Sequence, residues 1–334
     1  MQKTFMIVTS IANQDHPILN KLAEEALEHK VPFVVIGDQS SPETFHIQGC
    51  DFYSVERQES LHFDLVGKLP LRHYARKNLG YLIAISEGAE TIIETDDDNI
   101  PLPGFWEKRS RQVEASFLSD KDWVNAYRYF TKKNVWPRGF PLERIQDQLP
   151  ESEGLSLVDC PLQQGLVDRN PDVDAIFRLV MPLPLSFDKS SPIALGDGSF
   201  CPFNSQNTTW FKEAFPLLYL PSFCSFRMTD IWRSFVAQRI AWTCGWSVLF
   251  HQSTMWQERN DHRLMKDFQD EIPGYENNLQ IGESLKSLNL KSGMENIPRN
   301  MMLSYQKLID LGVVDRKEMA LLESWLKDVQ SVLK

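Results

Sequence analysis

Apolar residues along the first hundred positions follow two rhythms. Short unbroken runs, "TFMIVTS", "VPFVVIGD" and "ETIIET", have the length and β-branched content of buried strands. Between them "HPILNKLAEEALEHK" repeats at helical spacing, with Leu19, Leu22, Ala23 and Ala26 on one face. "LRHYARKNLGYLIAISEGA" does the same with Tyr74, Leu79, Leu82, Ile83 and Ile85 inward and Gly88 near its end. This alternation predicts βαβ units and an α/β fold built on a mostly parallel sheet flanked by helices. Ligands of such open sheets sit beyond the carboxyl ends of the strands, where Ser10, Asp38 and the triplet Asp96, Asp97 and Asp98 fall.

From residue 120 to 220 prolines break the rhythm into short runs such as "DWVNAYRYF", "DAIFRLV" and "LLYLPSF", which predict mixed strands and long loops. Periodicity returns in "MTDIWRSFVAQRIAWTCG", a helix with Thr229 or Asp230 near its cap, and in the strand "WSVLFHQ". Two more helices are predicted in "PRNMMLSYQKLIDLG" and "DRKEMALLESWLKDVQSVL", the latter with Met319, Leu322, Leu326, Val329 and Leu333 as one apolar stripe. The pattern divides the chain into a ligand-binding and catalytic domain over 1–265 and a C-terminal helical extension over 266–334. The extension either docks on the domain or offers a face to a partner or a second copy.

Composition narrows the function. A 42% hydrophobic content supports a real core, and 45 acidic against 35 basic residues, net −10, argue against general affinity for nucleic acid or anionic lipid. No apolar stretch is long enough to span a membrane and the N-terminal run is too short for a signal peptide, so a cytoplasmic location is expected. The five cysteines are dispersed without a C-x-x-C pair, which signals neither a disulfide framework nor a zinc site.

The run "TIIETDDDNIP" places three carboxylates side by side at a strand end, where their repulsion costs stability. A solvated turn tolerates that arrangement, and a hard cation such as Mg²⁺ or Mn²⁺ requires something like it. On an extended segment Asp96 and Asp98 share a face and Asp97 points away.

The succession "IVTSIANQDHP", "VVIGDQSSP", "HYARKNLGYLIAISEGA", "TIIETDDDNIP", "WPRGFPL", "MTDIWRS" and "LFHQS" resembles the STELLO and reversibly glycosylated polypeptide type of nucleotide-sugar-binding proteins. It runs over residues 4 to 260, and the last seventy or so residues carry no part of it. The resemblance implies a glycosyltransferase fold of the GT-A type in which a D-x-D element holds a divalent metal, Mn²⁺ or Mg²⁺, against the donor's diphosphate. Carried over by position, it puts Thr9 and Ser10 beside the nucleoside and Asp38 at the base. Arg76 and Lys77 then lie near the phosphates, and Asp96, Asp97 and Asp98 at ribose and metal, with Asp98 the direct ligand. His251, which follows "WSVLF", is expected as a further metal ligand, and Asp230 as the acidic residue near the acceptor. In "GDGSFCPFNSQNTTWF", Asp197, Asn204 and Asn207 are candidates for sugar hydroxyls and Trp210 or Phe203 for ring stacking. Each has a plain alternative: a turn for Asp38 and Asp197, a solvated helix face for Arg76 and Lys77, a structural histidine for His251, a helix cap for Asp230.

Three functions follow from this reading. The first is metal-dependent transfer from a nucleotide-sugar, of the UDP type, to a glycan or other hydroxyl acceptor, as in polysaccharide or glycoconjugate synthesis. The second is a UDP-sugar mutase or self-glycosylating protein acting through Arg138, which stands where the reversibly glycosylated polypeptides carry a glycosylated arginine. The third is a non-catalytic scaffold for other glycosyltransferases.

Overall fold

The strand and helix rhythms of the N-terminal hundred residues fold much as written. The structure is a computed structural model and describes residues 3–258 and 263–333. β1 (Thr4–Thr9), α1 (Pro17–Glu28), β2 (Phe33–Ile36), β3 (Cys50–Tyr53), a short α2 (Val55–Glu59), α3 (Lys77–Ser86) and β4 (Thr91–Thr95) follow in order. Pro17 suits the first turn of α1 because its missing N–H has no partner to lose there, and the His16 ring accepts from Leu19 N at 3.4 Å. Gly88 ends α3 with a φ of 82°, a backbone conformation that side-chain-bearing residues rarely take.

Beyond β4 come β5 (Asn99–Pro101), β6 (Gln112–Leu118), β7 (Asp122–Trp123), β8 (Leu155–Asp159), β9 (Leu162–Asp168), α4 (Ala175–Val180), β10 (Ile193–Leu195), β11 (Ser199–Phe200) and β12 (Asn207–Phe211). α5 (Thr229–Thr243), β13 (Val248–Gln257), α6 (Leu264–Lys286), α7 (Ile297–Asp310) and α8 (Glu318–Val332) complete the order. The main sheet runs β3-β2-β1-β4-β12-β9-β13-β10-β6-β8, with β5 beside β13. Its first four strands are parallel, as βαβ units require; β12 then enters antiparallel between β4 and β9 and the order becomes mixed. "DAIFRLV", expected among strands and loops, is α4, started by Asp174, whose carboxylate accepts from Phe177 N.

One sheet face packs on α1 and the Phe105–Trp106 segment, and the other carries the larger core beneath α3, α5 and the C-terminal helices. α6 was not foreseen. Pro273 and Gly274 interrupt its apolar rhythm, yet Gly274 is what lets it approach Met228, whose sulfur would lie 2.3 Å from a Cβ there. No helix among the described residues is long and apolar enough to cross a membrane.

The extension docks. Glu318, at the start of α8, accepts from the backbone N–H groups of Ser222 and Phe223, and Asp328 accepts from Asp64 N and Leu65 N at 2.9 Å each. The buried face of α8 is centred on Leu321, Leu322, Trp325 and Val329, one step round from the expected stripe, whose Met319, Leu326 and Leu333 are half-buried. Trp325 meets Tyr81 of α3 edge-on at 6.4 Å and donates to Pro216 O at 2.8 Å. Trp325→Ala is expected to lower the unfolding free energy by about 3–5 kcal/mol, the usual cost of emptying a buried tryptophan site. Urea unfolding followed by circular dichroism measures it, and a loss under about 1 kcal/mol, the scale of a surface change, would show that α8 is not integral.

Candidate functional site

At the carboxyl ends of β1 and β4 the chain leaves two adjoining cavities. One, of about 340 Å³, is lined by Thr9, Ser10, Asp38, Arg72, His73 and Arg76 among others. The other, of about 460 Å³, is lined by Asp96, Asp97, Asp98, Asp172 and Asp230 with Arg138 and Arg227. Thr9, Ile11, Tyr74, Asp97 and Phe226 line both, so the two form one continuous cleft.

The acidic triplet is a turn and also lines the cleft, so the two readings of it were not exclusive. β4 ends at Thr95, and Asn99 N returns to Asp96 O at 3.4 Å. Each carboxylate has its own support. Asp96 accepts from Tyr74 Oη at 3.0 Å and faces Lys77 Nζ at 3.3 Å. Asp97 accepts from Ser10 Oγ. Asp98 accepts from Gln257 Nε2 at 2.8 Å. Desolvation deep in the cleft pushes the Asp96 carboxyl above its ordinary range, Lys77 pulls it back, and Asp97 and Asp230 push it up again. The cleft concentrates negative charge beyond what its own cations offset.

Other expected residues have different placements. Asp38 accepts from Arg72 N and His73 N at 2.8 Å each, and so holds a turn in which Arg72 takes a φ of 55°. Arg76 lines the smaller cavity, but its guanidinium donates to Gln58 Oε1. Lys77 is wholly buried behind Asp96, bonded also to Thr95 O at 2.7 Å. His251 is not brought to the aspartates: six residues of β13, roughly 20 Å at about 3.3 Å per residue, separate it from Gln257, which occupies that place instead. Burial, together with the Arg109 charge, pushes His251 down to about 3, so it is a neutral ring. Asn207 also faces away, donating to Leu166 O and Thr254 Oγ1, because the pairing of β12 with β4 turns its side chain to the opposite sheet face. Trp210 and Phe203 are core residues, and Asp197 lies in the turn that receives Asp120 N.

Arg138 has a structural task. Its Nε and Nη2 donate to the two oxygens of Asp172 at 2.8 Å each, and Nη1 and Nη2 to those of Asp230 at 3.0 and 2.8 Å. Nη1 also donates to Arg227 O. All five N–H donors are engaged, and its two carboxylate partners hold the guanidinium in its charged form in spite of burial. Arg138 thus stands as a carboxylate contact, and a guanidinium held in this way offers no lone pair to a sugar.

Sequence reasoning missed Tyr74, assigned to the core, and also Gln257, Phe226 and Asp172. Asp172 stands in "NPDVD", where its neighbour Asp174 gives the helix-start signal and conceals it. Among the described residues no three His, Cys, Asp or Glu side chains are disposed to hold a metal by themselves.

Comparison with known proteins bears on this cleft. A family model described as STELLO glycosyltransferases matches residues 227–333, so the C-terminal helices, which carried none of the resembling motifs, lie inside a matched segment. Two Arabidopsis thaliana proteins are similar over much of the chain: "Probable glycosyltransferase STELLO2", 30% identical over 259 residues, and "Probable glycosyltransferase STELLO1", 31% identical over 242. These matches cover 71% and 66% of this chain but 34% and 31% of those proteins, so the chain spans about a third of the length of the curated relatives it matches. The crystal structure of M. tuberculosis glucosyl-3-phosphoglycerate synthase aligns with a TM-score of 0.42 and 11% identity, over 84% of this chain and 81% of that one. The family model and the two Arabidopsis thaliana matches bear out the resemblance to the STELLO type.

Arg138→Met is expected to cost about 3–5 kcal/mol of stability, since it strands two buried carboxylates. Adding Asp172→Asn should recover part of that loss, and two purely additive penalties in chemical denaturation would contradict the pairing. Acid unfolding checks the sign. Burial raises the Asp172 carboxyl, but Arg138 lowers it further, to about 2 from 3.8. Its contribution is therefore complete above 3.8 and lost as pH falls toward 2, and Arg138→Met should begin acid unfolding at a higher pH than the parent.

Proposed function

Starting from its likeness to the STELLO glycosyltransferases, we propose that this chain is a metal-dependent glycosyltransferase of the GT-A type, moving a sugar from a UDP-type nucleotide-sugar to a hydroxyl acceptor. The observation that carries this reading is the lining of the larger cavity, in which five aspartates outnumber two arginines, both held by carboxylates. A diphosphate cannot enter so negative a cleft unless a cation accompanies it. A site with one or two accessible carboxylates and no complete protein cage fits Mg²⁺ or Mn²⁺, whose coordination is then finished by phosphate oxygens and water.

Asp98 and Asp96 would hold the ion, with Gln257 and Tyr74 fixing their carboxylates from behind. When bound, the ion supplies positive charge to the departing diphosphate. The chain supplies the rest. Thr9, Ser10 and Ile11 at the end of β1 form the nucleoside wall of the smaller cavity, closed on its far side by His73 and Phe226. Asp38 shapes that wall by holding the Arg72–His73 turn, and its carboxylate is largely committed to the backbone. Lys77, buried behind Asp96, offsets part of the desolvation and of the neighbouring negative charge that push that carboxyl up. Asp230, on the wall of the same cavity as Asp96, would orient an acceptor hydroxyl. Both of its oxygens accept from Arg138, which anchors the carboxylate and suits a group that positions the hydroxyl.

The alternatives fare less well. An arginine adduct would require dismantling both ion pairs of Arg138. A scaffold docking through the C-terminal helices would need an apolar face that α8 already uses on α3.

Isothermal calorimetry with Mn²⁺ and uridine diphosphate tests the proposal. Binding should need both components, and Asp98→Asn should weaken it by more than the roughly 100-fold that losing an outer-shell metal partner can cost. Nucleotide binding that is indifferent to metal, or to Asp98, would refute the reading.

A further inference from the structure

At the other end of the sheet, where β1 and β4 begin, lie three cavities of about 450, 610 and 460 Å³, and Lys108 and Arg109 line all three. Thr4 and Thr91 belong to the first of these. Thr91 is five residues from Asp96 along the strand, roughly 17 Å at about 3.3 Å per residue, so this region is separate from the cleft.

Arg109 is unlike Arg138 and Arg233, the two buried arginines that hold carboxylates. Arg138 and Arg233 each grip carboxylates, whereas Arg109, half-buried, makes one hydrogen bond, from Nη2 to Gly104 O at 3.2 Å, and no ion pair among the described residues. Burial lowers its pKa, and the Glu107 charge offsets that only in part. A partly desolvated guanidinium short of acceptors is costly unless something else supplies oxygen atoms. Charge around it points the same way. Lys3, Lys30 and Lys108 share the first cavity with it, against the single carboxylate of Glu107, on a chain whose net charge is −10. The same cavity is lined by an aromatic pair, His29 and Trp106, stacked with centroids 5.0 Å apart and planes 7° from parallel. Trp106 is held there by donating to Glu25 at 2.7 Å.

The geometry points to a second binding site, for a phosphate monoester carried on a ring such as a sugar. Arg109 would take two phosphate oxygens in its planar fork, Lys108 and Lys30 would balance the second charge, and the stacked His29–Trp106 pair would lie against the ring. Several cations around one cavity favour a dianion over a single carboxylate. The inference does not depend on the cleft's chemistry.

Calorimetry on the full chain tests it with glucose 6-phosphate, inorganic phosphate, glucose, and phosphatidylcholine vesicles with or without phosphatidylinositol 4-phosphate. Glucose 6-phosphate should bind and glucose should not. Arg109→Gln should weaken binding at least about tenfold, the scale of a lost charge-assisted bidentate contact, and leave manganese-dependent nucleotide binding unchanged. Arg109→Lys should retain part of the affinity, and Lys108→Ala, at an exposed position, should weaken it severalfold even if Arg109→Gln fails to fold. If only the phosphoinositide vesicles bind, and do so through Arg109, the same phosphate chemistry is being read on a lipid. No binding by any phosphate probe, undiminished binding by a folded Arg109→Gln, or loss in Asp98→Asn in place of Arg109→Gln would overturn the proposal.

Discussion

A buried ion pair between a strand and a helix sets the geometry of the cleft. Glu94 of β4 and Arg233 of α5 are both almost wholly buried and meet through two hydrogen bonds, at 2.8 and 2.9 Å. Tyr81 of α3 and Trp210 of β12 donate to the same carboxylate, so four elements converge on it. Such a pair adds little stability over an apolar replacement, but breaking it is expensive, which makes it a strong constraint on position. Glu94 is two residues before Asp96, which follows directly on the end of its strand, and Arg233 three residues after Asp230 on its helix. One strand repeat and one helical turn above the buried pair, the same two elements therefore deliver the two cleft carboxylates.

The second layer of charge repeats this logic nearer the solvent. Arg138 bridges Asp172 and Asp230, Lys77 stands behind Asp96, and Gln257 steadies Asp98. The protein uses its own cations to hold these carboxylates in place, and the cleft still carries more negative than positive groups. That surplus links the fold to the proposed chemistry. Carboxylates crowded at one end of a cleft repel one another less when a divalent cation joins them, and an anionic donor would then have a reason to bind where the protein alone would repel it.

Much of this was legible from patterning. The parallel half of the sheet, the helices of the C-terminal extension and the acidic turn at the end of β4 follow from local rhythm, because strand and helix periods are local properties. The misses came from quantities set by tertiary pairing. Asn207 and His251 were assigned to the site from their order in the chain, but the direction of Asn207 depends on the register of β12 with β4, and His251 lies six residues along β13 from Gln257, which lines the cleft. α6 went unseen because Pro273 and Gly274 look like breaks until Met228 is found against the glycine. Glu94 and Arg233 did leave a signal that was not used. A glutamate inside a buried strand and an arginine inside an apolar helix each need a partner, and the economical solution is each other.

The central claim is that a divalent ion joins the carboxylates at the end of β4 to a diphosphate. Electron–nuclear double resonance on Mn²⁺ added with uridine diphosphate tests it most directly, because it reports which nuclei touch the ion. The account predicts strong phosphorus coupling together with carbon coupling from isotopically labelled aspartate carboxylates. A spectrum of fully hydrated manganese, with neither coupling at saturating protein, would contradict it.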